Sequence, residues 1–213
     1  MRAGKVRYIG FSDTPAWKVA QAQVTAHFRG WEPLVALQIE YSLLERTVEG
    51  DLIPMAQEMG LGVTPGSPLK SGALSGKYTR ENHGKVKGDR GAWVMSAVNE
   101  KTYAIVDELL KIAKELDSTP ARVALAWVQG RPGVTSTILG ARTLAQLDDN
   151  LAALEIELTK AHVAALDALS KPTLNFPADF NGFSGMFMHG GLSVNGDAAA
   201  PWPFTPKNDS ERY

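Results

Sequence analysis

The chain contains no cysteine, which excludes disulfides, thiolate metal sites and cysteine nucleophiles. Its four histidines, His27, His83, His162 and His189, are scattered without an HxxxH or HxH pair, so no metal site is expected. An excess of charge is also missing. The formal net charge is −1, which gives no reason to expect nucleic acid as a partner. No apolar run approaches the roughly 20 residues needed to span a bilayer, so no membrane association is expected. MRAGKVRYIG leaves too little chain before the first strand for a signal peptide, which makes a cytoplasmic protein the expectation. There is no GxGxxG and no Walker loop, which disfavours the standard dinucleotide and P-loop folds.

What remains is ordinary for a globular protein: 213 residues, 44% apolar and 21% charged, enough for one or two domains with a sizeable core. Val6 to Phe11 is β-rich and predicts a first strand. Thr14-Pro15 then supplies an N-cap and a first-turn proline, with Trp17, Ala20, Val24 and Phe28 at helical spacing and Gly30 as the stop. Leu34 to Ile39 is nearly all apolar, as expected of a parallel strand covered on both faces, with Gln38 as its polar interruption. Glu49 to Met59 predicts a helix with Leu52, Ile53, Ala56 and Met59 inward and Gly60 closing it. Leu61 to Thr64 predicts a third strand, followed by the Gly-, Ser- and Pro-rich loop PGSPLKSGALSGKY. Thr79 to Trp93 reads as a long polar excursion.

Ala97 to Leu116 predicts the longest helix, with Tyr103, Val106, Leu109, Leu110, Ala113 and Leu116 on one side. A second runs from Thr119-Pro120 to Gln129, with Val123, Ala124, Trp127 and Val128 as its core face. TSTILGARTLAQLDDNLAAL then reads as strand, turn and helix. Ser136 to Leu139 is extended, Gly140 breaks it, and Thr143 caps a helix whose Leu144, Leu147, Leu151 and Leu154 define one apolar face. Arg142 in the turn, beside a helix N-terminus, suits a phosphate; an ordinary turn with a surface arginine is the alternative. Thr159 to Ser170 predicts the last helix, with Val163, Leu166 and Leu169 inward. From Lys171 the chain has no period and reads as an irregular tail, ordered where Phe176, Phe180, Phe183, Trp202 and Phe204 find a surface.

Short buried strands alternating with helices imply parallel βα units. The polar or glycine-rich residues cluster after each strand, at Ser12-Asp13, Gln38 to Ser42, Gly66-Ser67 and Gly140 to Arg142. In a barrel of βα units these positions share one end, where active sites are built.

GKVRYIGFSD, VALQIEYSLLER, LGVTPGSPLKSGALSGKY and STILGARTLAQLDDN resemble the last four βα units of the aldo-keto reductases, (β/α)8 barrels that reduce carbonyls with NADPH. The resemblance covers roughly residues 4 to 170, and NFPADF is similar to the family's C-terminal segment. It implies an α/β fold, half of a TIM barrel at residues 1–170 with four parallel βα units, and a tail at 171–213. It also implies roles for matching positions. Ser12 and Asp13 resemble the pair that hydrogen-bonds the nicotinamide carboxamide, with Asp13 where asparagine is usual. Gln38 resembles the strand glutamine that holds the same group; a buried amide bonded to backbone is its alternative. Ser67, Pro68 and Leu69 resemble the loop beside the pyrophosphate. Ser71 to Lys77, including Leu74 and Gly76, resembles the segment that folds over it; small residues let backbone N–H groups approach phosphate oxygens, though such a loop can also be merely flexible. Arg142 resembles the clamp on the adenosine 2′-phosphate, with Gln146 and Asn150 at helical spacing on the same face. Ile138 and Gly140, just before that turn, complete the implied NADPH-binding set.

Two departures accompany the resemblance. Gly66 stands where relatives commonly carry an aromatic residue that stacks on the nicotinamide. The Asp-Tyr-Lys-His catalytic set belongs to the first four strands, which are absent here. Tyr8, Tyr41, Tyr78 and Tyr103 occur in the wrong motifs, and His27 and His83 read as surface residues, so no catalytic residue is assigned. A half-barrel exposes two strand edges, which predicts a homodimer that restores eight strands. Two readings follow: a truncated reductase acting on a small-molecule aldehyde or ketone with weak or no activity alone, or a catalytically silent half-barrel that binds nucleotide or is purely structural.

Overall fold

The computed structural model of the chain describes residues 1–82, 94, 98–198, 200–204, 206 and 208–211. Two compact units emerge, Met1–Pro172 and Thr173–Tyr213. Most of the predicted excursion at 79–93, His83, and the start of the helix predicted from Ala97 lie outside the described residues.

The first unit holds a three-stranded parallel sheet in the order β1 (Gly10–Ser12), β2 (Ala36–Glu40), β3 (Gly62–Gly66). Gly10 pairs with Ala36, and Ala36 with Gly62; Ser12 pairs with Gln38, and Gln38 with Thr64. The fourth predicted strand, Ser136–Leu139, is not a strand. The chain there makes one parallel bridge, Val134 to Val63, and donates Thr135 N–H to Val63 O and Ile138 N–H to Pro65 O. It runs beside β3 without a regular ladder, so three strands and one strand-like segment stand where four strands were expected. β1 is also shorter than predicted, because Val6 to Ile9 lie outside it and are exposed.

Among the described residues the unit's α-helices include α1 (Ala16–Arg29), α2 (Leu52–Glu58), α3 (Glu100–Glu115), α4 (Pro120–Gln129), α5 (Leu144–Leu151) and α6 (Lys160–Ser170). Their starts follow local chemistry. Asn99, Thr119, Thr143 and Thr159 each accept a backbone N–H through the side chain, and Pro120 sits in the first turn. Thr14 does not cap α1; its hydroxyl donates to Ser12 O and Pro15 takes the cap position.

The core lies on one face of the sheet. Leu37, Ile39 and Val63 meet Ile53 and Ala56 of α2, Ile105, Leu109 and Ile112 of α3, and Trp127 of α4. The other face carries the alternate residues, Ala36, Gln38 and Glu40 of β2 and Gly62, Thr64 and Gly66 of β3. That face is small, polar and open, so the prediction that β2 is covered on both sides fails: Leu37 and Ile39 are buried while Gln38 is exposed. Two glycines are required there by close approach. A Cβ on Gly10 would lie 2.6 Å from Ala36 O, and one on Gly62 would lie 2.9 Å from Thr135 Oγ1.

Two predicted apolar faces turn out to face outward. In α1 it is Ala16, Val19 and Ala26 that are buried, while Trp17, Val24 and Phe28 are exposed. In α5 and the turn after it, Leu144, Leu147, Leu151 and Leu154 are exposed, and Asn150 and Ala153 are buried. Leu110 and Leu169 are likewise partly exposed. Periodicity locates a face but carries no information about whether another element lies against it.

The second unit is not irregular throughout. It contains helix α7 (Ala178–His189) and a short antiparallel pair, β4 (Ser193–Val194) with β5 (Asp197–Ala198). Phe176, Phe180, Phe183, Phe187, Trp202 and Phe204 form a continuous run of ring contacts with centroids 4.5 to 6.1 Å apart. Phe180, Phe183 and Phe187 recur at helical spacing, which is the signal that identifies α7 in the sequence. Among the described residues no helix is long and apolar enough to cross a membrane.

Candidate functional site

Parallel register brings the strand ends together. Ser12, Gln38 and Thr64 are lateral neighbours, and Glu40 pairs with Gly66 one step further on. Ile138 joins the same end through its bond to Pro65 O. The residues after these positions therefore form one rim at the C-terminal end of the sheet.

Asp13 closes the rim between β1 and β2. It adopts a left-handed conformation, φ 44°, donates its N–H to Gln38 O at 2.9 Å and accepts Glu40 N–H on Oδ1 at 3.2 Å. Its carboxylate is thus spent on the end of β2, while the Ser12 hydroxyl lies 3.4 Å from the other carboxylate oxygen. Gln38 is different. Its amide projects from the open face and takes no hydrogen-bond partner among the described residues. Gly66 leaves space beside it: an added Cβ would meet Gln38 Nε2 at 3.9 Å and Ile39 O at 3.7 Å, ordinary contacts.

The loop after β3 folds into successive left-handed residues. Ser67, Lys70 and Ser71 have φ of 50°, 46° and 55°, and Gly72 and Gly76 have 100° and 81°. Non-glycine residues in this region cost about 1–3 kcal/mol each and persist where their surroundings hold them. Here Pro68 and Leu74 are buried, and Lys70 Nζ reaches Glu40 Oε1 at 2.6 Å, tying the loop to the end of β2. Ser71 and Lys77 are exposed and Leu69 is half-buried.

At the fourth position the turn before α5 is held by its own amides. Gln146 Oε1 accepts the Arg142 N–H at 2.8 Å, and Asn150, buried, donates to Gly140 O at 3.3 Å. Arg142 is exposed at the start of this helix, where backbone N–H groups and the helix dipole also favour an anion. The Gln146 and Asn150 side chains both bond to this turn and shape it.

Sequence reading missed the groups that brace this rim. Glu40 lies two residues beyond Gln38, so strand alternation places it on the same open face, and that signal was available. The larger omission is a polar cluster behind β2. Tyr41 hydroxyl donates to Glu49 at 2.7 Å, and Arg46 makes paired bonds to Glu49 at 2.8 and 3.0 Å. Arg46 also donates to Ser170 Oγ and Asp167 O on α6, and Arg131 binds both Asp167 oxygens at 3.2 and 3.0 Å. Trp127 Nε1 donates to Asp167, while the Arg46 and Arg131 guanidiniums lie 5.1 and 4.8 Å from its ring centroid. Burial, and then Glu49, push the Tyr41 phenol well above the ordinary tyrosine range. These partners lie up to 124 residues apart, so no local pattern announces them.

A family model described as the aldo/keto reductase family matches residues 1–171. The uncharacterized oxidoreductase YrpG of Bacillus subtilis is 41% identical over 160 residues, 75% of this chain and 48% of YrpG. Protein tas of Escherichia coli is 35% identical over 180 residues, 83% of this chain and 51% of tas. An aldo-keto reductase of Fusarium vanettenii is 31% identical over 173 residues, 81% of this chain and 46% of the relative. The chain thus spans about half the length of these relatives. With its parallel βα units and its polar rim at the strand ends, the chain belongs to the aldo/keto reductase family.

Proposed function

We propose that the Met1–Pro172 unit is an NADPH site of a carbonyl reductase, and that this chain holds the cofactor without supplying the proton donor itself. The observation that carries the reading is the Gln38 amide: open, without a partner among the described residues, and in register between Ser12 and Thr64. A carboxamide ring substituent needs one donor and one acceptor, and a glutamine amide offers both. Gly66 leaves room beside it for a ring. The loop at 67–76 holds Ser67, Lys70, Ser71, Gly72 and Gly76 in left-handed conformations, as backbone that cradles phosphate oxygens often is. Arg142 adds a fixed cation at a helix start, suited to a further phosphate. These residues fit a phosphorylated dinucleotide.

Bound there, NADPH would supply hydride to an aldehyde or ketone. Ser12 and Gln38 would orient its carboxamide end, the 67–77 loop would cover its pyrophosphate, and Arg142 would select the 2′-phosphate form. Carbonyl reduction also needs a proton at the developing alkoxide. Of the tyrosines, Tyr41 lies nearest Gln38 in sequence. Its phenol is buried, donates to Glu49 and is held protonated, so it serves the packing and not proton transfer.

The test is an NADPH fluorescence titration of the whole chain, followed by NADPH consumption with an aromatic aldehyde. Saturable binding without turnover is expected, with Arg142→Ala weakening NADPH more than NADH. Robust turnover would overturn the silent reading. No binding would leave a structural role, which is favoured by the Gln146 and Asn150 amides being spent on their own turn.

A further inference from the structure

In a parallel βα sheet each helix lies over its own strand and the next one in order, because the crossover is right-handed. Helix α5 follows the last strand-like segment, and among the described residues no strand continues the sheet beyond it. Its Leu144, Leu147 and Leu151, with Leu154 just after, therefore face outward. At the opposite edge, β1 has no strand neighbour on its outer side among the described residues. Ile9 and Phe11 project there on the helix side of the sheet, and with α1 and Trp31 they line a mostly apolar groove of about 630 Å³. One edge thus offers a leucine ridge without a floor, and the other a floor without a ridge.

The charges match as well. Residues 1–12 carry Arg2, Lys5 and Arg7 and no acid, whereas 144–157 carry Asp148, Asp149, Glu155 and Glu157 and no lysine or arginine. The cations are exposed, as are Asp148, Glu155 and Glu157; Asp149 is engaged with Arg122. The helix runs antiparallel to the strands, so Glu155 and Glu157 come level with the N-terminal ends of the strands. Lys5 and Arg7 precede β1 at that same level.

The geometry points to a second copy of this chain as the occupant: α5 of each copy seats its leucines in the β1 groove of the other, with Glu155 and Glu157 facing Lys5 and Arg7. A twofold axis through the middle of the ring makes the two junctions identical, so the assembly closes at two chains and leaves no free edge. The inference is independent of the NADPH reading, because it uses the edges of the sheet and not the rim.

Sedimentation velocity over a range of concentrations tests it. A dimer is expected, with no larger species growing at high concentration. Leu147→Glu and Leu151→Glu change side chains that are exposed in the single chain, so circular dichroism should be retained while the dimer dissociation constant rises about thirtyfold or more. Reversing the cations (R2E/K5E/R7E) or the acids (D148K/E155K/E157K) should each weaken the dimer, and combining both sets should restore it. A folded monomer throughout would overturn the proposal. So would a dimer indifferent to the leucine changes, a combined variant as weak as either single set, or open-ended polymers. A monomer that instead captured the other half of a longer relative would also refute a second copy as occupant.

Discussion

Two tryptophan-bearing helices of the same unit show what packing adds to pattern. Trp127 of α4 is 2% exposed, its indole N–H bonded to Asp167 and its ring flanked by Arg46 and Arg131. Trp17 of α1 is 64% exposed, with the Lys18 ammonium 4.3 Å from its ring centroid. Both residues sit in amphipathic helices at positions that read as core. The difference lies outside the helices: α4 meets α3 and the turn at 152–155, while Trp17 of α1 stays mostly exposed. A side chain is stabilised by what covers it, and coverage is not a property of the segment that bears it.

Removing the two tryptophans gives the sharpest test of that contrast. Trp127→Ala should cost about 3–5 kcal/mol in chemical denaturation, because it leaves a cavity and strands two arginines. Trp17→Ala should stay within about 0.5 kcal/mol. Equal losses would erase the contrast. A smaller loss, about 1–3 kcal/mol, is expected for Asp167→Asn, which removes the charge shared by Arg46 and Arg131 but keeps an acceptor for Trp127. If that change proves neutral, the cluster is packing alone.

Alkaline titration probes the same side of the molecule through Tyr41. Its folded-state pKa is raised above that of the unfolded chain, so the folded state keeps a proton that the unfolded state releases. Stability should be unaffected below about pH 10 and fall above it. Denaturation midpoints measured on either side of that pH should show the decline, and Tyr41→Phe should flatten it. On the open face the expected change is small and of opposite sign. Gly66→Ala places a methyl in ordinary contact with Gln38 and Ile39 and should raise stability by about 0.4–1 kcal/mol. A loss there would mean that the open face is tighter than its contacts show.

Much of the frame was legible because it is local. The Thr119-Pro120, Thr143 and Thr159 helix starts, Gly60 at φ 68° after α2, and the core face of α4 depend on residues a few positions apart. The polar rim was half legible. The turn residues stand out in the sequence, but that Asp13 clips β2 while Gln38 stays open depends on register between strands. Exposure of the α1 and α5 faces was not legible at all, since the same apolar spacing serves a buried face and an exposed one. Helix α7 was hidden by Gly182, Gly185 and Asn181, whose weak helix propensity outweighed a phenylalanine stripe.

The bonds from Arg46 to Asp167 O and Ser170 Oγ join residues 121 and 124 positions apart. They close a loop containing most of the first unit, and such closure is slow because its entropy must be lost before the contact forms. During synthesis the turn behind Gln38 therefore cannot be braced until α6 has left the ribosome. The C-terminal end of the sheet is completed last, although its first residues are made first. A chain stopped before Ser170 would carry every proposed nucleotide contact in its sequence but would lack the brace from α6 behind Gln38.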